Sequence, residues 1–118
     1  MKKLSGFLVI FSVLALLYSC GKDTDFDESL LYGKWKQGTL FEKYLSDGTG
    51  WTWDTSDDVT EDDAQPFEWT LDKDDLTQIH IMETGGKVPK VYKVTELTST
   101  TFKYKDDYGK NYSFAREN

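Results

Sequence analysis

The chain has 118 residues, 14 of them Lys or Arg against 21 Asp or Glu, for a formal net charge of −7 at pH 7; this excludes nucleic acid as a natural partner, since phosphate binding needs clustered cations. The 4 Trp, 7 Tyr and 7 Phe exclude an intrinsically disordered chain, which needs few aromatics. A single cysteine excludes an intramolecular disulfide. The first element in chain order is a leader: Met1, Lys2, Lys3 and Leu4, then an apolar run from Phe7 to Leu17 broken only by Ser12. A membrane-spanning helix needs about 20 apolar residues, so this run is too short. A basic start, a short apolar middle and a small residue before a cysteine describe a secretory signal peptide over residues 1–19.

Leu17-Tyr18-Ser19-Cys20 resembles the bacterial lipobox. The resemblance implies that Cys20 receives a diacylglyceryl thioether, becomes the mature N-terminus and is acylated again, and two or more chains hold a protein firmly to a membrane. Residues 20–29 then read as a tether, with Asp23, Asp25, Asp27 and Glu28. This acidic stretch resembles the surface-export signal of Bacteroidetes lipoproteins. The expected location is therefore the outer membrane, with display at the cell surface as its extension.

Loss of residues 1–19 leaves 99 residues with a net charge of about −9, enough for one domain, over residues 30–118. Glu28 to Tyr32 suits one helical turn. Strands are then expected at 33–39, 40–45, 49–54, 67–71, 76–82, 87–95, 101–105 and 111–116, separated by turn clusters such as Ser46-Asp47-Gly48 and Thr84-Gly85-Gly86. About eight short strands joined mostly by tight turns predict an all-β, small antiparallel up-and-down barrel. Alternation puts Trp51 with Trp53, Phe67 with Trp69 and Leu71, and Phe102 with Tyr104 on shared faces. Ile79-His80-Ile81 and Val91-Tyr92-Lys93-Val94 can be read with either face inward. In the acidic stretch between Trp53 and Phe67, Thr60 is expected to cap a short helix at Glu61-Asp62-Asp63 that Pro66 ends.

Gly33-Lys34-Trp35 at the head of the first strand resembles the Gly-x-Trp of lipocalins and of small lipocalin-like domains on Bacteroidetes lipoproteins. The order "LLYGKW", a Gly-Thr-Gly turn, an acidic loop, "FEWTL" and "YSFAR" is similar to that family over residues 30–116. The resemblance implies that Gly33 and Trp35 close the narrow end of a barrel. It also implies that Arg116, alternating with Tyr112 and Phe114 on the last strand, lies across Trp35 in a cation–π contact.

Metal and catalytic chemistry are poorly supplied. "DTDFDE" over 23–28 opens like a calcium loop, but Glu28 stands where glycine is needed and Lys34 where glutamate is needed; calcium binding by the acidic loop over 54–63 is left open. His80 is the only histidine and can complete neither a zinc site nor a triad. No cofactor and no enzymatic activity are expected. The leading expectation is a lipid-anchored, lipocalin-like protein binding a small apolar molecule among Trp51, Trp53, Phe67 and Trp69, with the acidic loop as a lid. The alternative is a solid-cored module that holds a glycan or a partner protein on its outer surface.

Overall fold

The computed structural model describes residues 24–117; the leader and the expected anchor Cys20 lie outside the described residues. A 3-10 turn at Glu28–Leu31 is started by Asp27, whose carboxylate accepts the Ser29 N–H. Eight strands follow: β1 (Gly33–Gln37), β2 (Leu40–Tyr44), β3 (Thr49–Asp54), β4 (Gln65–Asp72), β5 (Asp75–Ile81), β6 (Lys87–Leu97), β7 (Thr101–Lys105) and β8 (Asn111–Glu117). Each runs antiparallel to the next and β8 returns to β1, so the fold is a closed up-and-down barrel. Every strand pairs within residues 33–117, so a chain beginning at Gly21 carries the whole barrel.

Cross-strand partners share a face, so one buried residue orients its neighbours. Tyr44 is fully buried; Glu42 next to it, Gly33 and Trp35 opposite on β1, and Gly50 and Thr52 opposite on β3 therefore face inward. Trp51 and Trp53 face outward, which corrects the expectation that they line a cavity with Phe67 and Trp69. Alternation groups side chains without saying which group is inside, and here the inner places of β3 go to small residues because Phe67 fills the space. A Cβ on Gly50 would lie 2.7 Å from Phe67 Cε1 and 2.3 Å from the Lys43 carbonyl oxygen.

Trp53 is nevertheless only 6% exposed. On the outer surface it stacks on Phe41, its partner across β2, at 5.0 Å and 4° between planes, and Lys34 Nζ sits 5.6 Å from its ring. The acidic loop lies along this outer wall and not over the barrel mouth as a lid. Glu61 pairs with Lys34 at 2.8 Å and Lys43 at 3.1 Å, two lysines on the outer faces of β1 and β2. The loop forms 3-10 turns at Thr55–Asp57 and Glu61–Asp63; Thr60 precedes the second without making a side-chain cap. Pro66 ends no helix, lying inside β4 opposite Trp51.

The two ambiguous strands are also resolved. Leu76, Gln78 and His80 face inward and Ile79 and Ile81 outward, because Leu76 pairs with Leu71, Gln78 with Trp69 and His80 with Phe67. Tyr92 faces inward opposite Leu76. The core is packed with Leu31, Trp35, Phe67, Trp69, Leu76, Val94, Leu97, Phe102 and Phe114, and Glu42, Gln78 and His80 are buried with them.

The wall is incomplete beside β6. β6 has eleven residues, but β7 pairs with it only from Lys93 onward. The six residues from Lys87 to Tyr92 therefore border a gap about 20 Å long at ~3.3 Å per residue. The Val94 N–H bonds to the Asp74 carbonyl, so by alternation Tyr92, Lys90 and Val88 turn their backbone groups toward β5, and Val91 and Pro89 turn theirs toward the gap.

Candidate functional site

One end of the barrel is built by the chain itself. Trp35 donates its indole N–H to the Leu31 carbonyl at 2.9 Å, which ties β1 to the turn before it. The Arg116 guanidinium lies 4.2 Å from the centre of the Trp35 ring and donates to the carbonyls of Leu30, Tyr32 and Ser99. Gly33 has φ +123° and stands where a Cβ would be 2.5 Å from Arg116 Nη1. These three residues form a plug with its donors satisfied by backbone, so this end is structural.

Above the packed core lies a polar layer that the sequence reading did not single out. Glu42 Oε1 accepts from the Tyr44 hydroxyl at 2.7 Å and Oε2 from the Tyr104 hydroxyl at 2.8 Å. Gln78 donates to the Tyr44 hydroxyl at 2.6 Å. Burial pushes the Glu42 pKa above its ordinary range, against the pull of the tyrosine hydrogen bonds, and pushes both tyrosines upward as well. His80 lies between Gln78 Oε1 at 2.8 Å from Nε2 and Gln65 Oε1 at 3.1 Å from Nδ1. Burial, with the charge of Lys90 adding to it, lowers the His80 pKa from 6.5 to about 4, so the ring is neutral at pH 7. A neutral imidazole has one N–H: with Nε2 donating to Gln78, Nδ1 accepts, which asks the Gln65 amide to present its nitrogen.

The gap in the wall opens onto this layer as a cleft of about 530 Å³, within the range of about 300–1,000 Å³ typical of ligand sites. One side is the free stretch of β6, Val88 to Tyr92; the other is Tyr112 and the β7–β8 turn at Asp106, Asp107 and Tyr108. Asp106 Oδ1 holds that turn by accepting the Tyr108 and Lys110 N–H groups, both at 2.9 Å. Tyr92 stands behind, 4.4 Å from Tyr104 between ring centres, so the cleft and the Glu42 layer share a wall of tyrosine. Among the described residues, Lys90 makes no ion pair and the hydroxyls of Tyr92 and Tyr112 make no hydrogen bond.

The four side chains expected to line a pocket are therefore divided. Phe67 and Trp69 are buried in the core, where Tyr44 meets both rings edge-on at 5.3 and 5.4 Å, and Trp51 and Trp53 are outside. The cleft residues left one signal in the sequence: the expected strand over 87–95 is much longer than its neighbour over 101–105, so part of it must lack a partner. Glu42 left a weaker one, alternating with Tyr44 as Gln78 alternates with Leu76. Among the described residues no three His, Cys, Asp or Glu side chains gather as a metal cage, and the Asp54 carboxylate is engaged by Ser56. No protein-family model matches the chain, and neither a curated protein nor a solved structure matches it.

Proposed function

We propose that this chain is a lipid-anchored, lipocalin-like binding protein of the bacterial outer membrane, displayed at the cell surface, that takes a small molecule into the cleft between β6 and the β7–β8 turn. The observation that carries the binding reading is the unpaired stretch of β6, which leaves unbonded polar groups and tyrosine faces around a space of ligand size. The filled core supports placing the ligand there and not among Phe67 and Trp69. The Gly33, Trp35 and Arg116 plug supports the lipocalin-like reading. A binding role is favoured over catalysis because Glu42 and His80 are both held by internal hydrogen bonds.

Two experiments test this. In cells fed an alkyne-tagged fatty acid, the full chain is expected to be labelled and membrane-bound, and Cys20→Ala to be neither; a labelled Cys20→Ala protein removes the anchor. For binding, amide shifts of residues 21–118 are followed by NMR during titration with a small aromatic fragment library. Hits are expected to converge on Val88–Tyr92 and Asp106–Tyr112. Shifts collected instead on Leu40–Tyr44 and Thr49–Trp53 would favour the second reading, a module working through its outer wall, which rests on Trp51 standing 36% exposed beside the Phe41–Trp53 stack.

A further inference from the structure

We infer that the cleft is shaped for a neutral sugar ring, an inference that rests on the cleft being the ligand site. Neither sign dominates it: among the lining side chains Lys90 stands against Asp106 and Asp107, Asp106 is engaged by the turn's own N–H groups, and Lys110 lies beside the lining, 5.1 Å from the Tyr112 ring centre. A site selecting an anion or a cation would carry a surplus of the opposite sign. Its unbonded groups, by contrast, are of both hydrogen-bonding kinds. The ammonium of Lys90 donates, the carboxylate of Asp107 accepts, and the hydroxyls of Tyr92 and Tyr112 do either; among the described residues none of the four is engaged.

An apolar ligand seated here would strip water from these groups and return nothing, at about 1–3 kcal/mol for each one left unpaired. A pyranose returns those bonds, because each hydroxyl both donates and accepts. It also carries a flat patch of C–H groups that needs an aromatic face. Tyr108 offers one: it stands at the rim, 95% exposed, and among the described residues packs against no other ring. The rim where Tyr108 stands is open to solvent, so the rest of an oligosaccharide can continue outward from the ring that is held.

The test is a titration of residues 21–118 with neutral oligosaccharides of the gluco-, galacto-, manno- and N-acetylglucosamine series at millimolar concentration, read by amide shifts. At least one series is expected to shift Val88–Tyr92 and Asp106–Tyr112 saturably. Tyr108→Ala, whose exposed ring supports no core contact, and Asp107→Asn are each expected to weaken that binding by about tenfold. Sugar shifts unaffected by both variants, or no shift from any series, overturn the inference. If aromatic fragments still map to the cleft when sugars do not, the binding-site reading stands and only the sugar is lost; if neither maps there, both fall.

Discussion

Gly33 and Arg116 compete for one space: the guanidinium nitrogen Nη1 lies 2.5 Å from where a Gly33 Cβ would stand. The closure of the barrel therefore depends on an absent side chain at one end of the sheet and a long one at the other. Gly33→Ala adds a clash to a left-handed backbone that costs about 1–3 kcal/mol in a non-glycine residue. Arg116→Ala strands three carbonyls and uncovers Trp35, for about 3 kcal/mol. Since Arg116→Ala also removes the clash, the double variant should be more stable than the sum predicts by about 1 kcal/mol. Urea unfolding followed by tryptophan fluorescence measures all three, and strict additivity would mean the two residues are not coupled.

Gly50 should tolerate substitution just as poorly for a different reason. Its Cβ would meet both the Phe67 ring and the Lys43 backbone, and overpacking of this kind costs about 1–3 kcal/mol. Gly38→Ala is the comparison: nothing lies within 4 Å there, though φ is +60°, so only backbone strain is added. A smaller loss at Gly50 than at Gly38 contradicts the inward placement of β3.

Of the four tryptophans, Trp51 alone is open to water, at 36% exposure; Trp53, Trp69 and Trp35 are 6%, 4% and 0% exposed. Acrylamide is expected to quench a minor fraction of the fluorescence, and Trp51→Phe to abolish most of that fraction with little change in stability. Glu61→Ala removes the ion pairs to Lys34 and Lys43, worth no more than about 1 kcal/mol at such exposed positions. It should nevertheless increase quenching, because the loop held by Glu61 covers the outer wall beside Trp53. Unchanged quenching in Glu61→Ala would show that Phe41 and Lys34 shield the ring unaided.

Glu42 and His80 give stability opposite pH slopes. Burial raises the folded Glu42 pKa above its ordinary 4.5, so the folded state holds the proton longer; this contribution is full below pH 4.5 and lost as pH rises through the folded pKa. For His80 the folded pKa falls from 6.5 to about 4, so its contribution is full above pH 6.5 and lost as pH drops toward 4. Urea midpoints across this window should fall with rising pH in His80→Gln relative to the parent, and rise in Glu42→Gln. Parallel profiles for the parent and both variants would refute the assignment.

Spacing and turn residues were enough to place the strands, because in a meander each strand reports itself by alternation between two turns. The limits of β3 and β7 are those expected from the sequence, and β4 and β6 are longer only at their ends. What alternation could not supply was the sense of each face. Two tryptophans looked like core beside a glycine and a threonine, and the deciding fact was the register that puts Phe67 opposite Gly50. Glu42 was only faintly legible for the same cause reversed: its alternation with Tyr44 is visible, but a buried carboxylate is tolerable because Tyr44 and Tyr104 reach it from two strands, and no local window contains both.

Pro89 sits in the free stretch of β6 with its backbone toward the gap. A strand with an open side ordinarily invites a second copy to add on, copy after copy, until the chains aggregate. Proline interrupts that invitation at the middle of the stretch, since it has no N–H to offer an incoming strand. Lys87 and Lys90, on either side, add charge that like chains would have to bring together. The wall can thus stay open while remaining a poor template for its own kind.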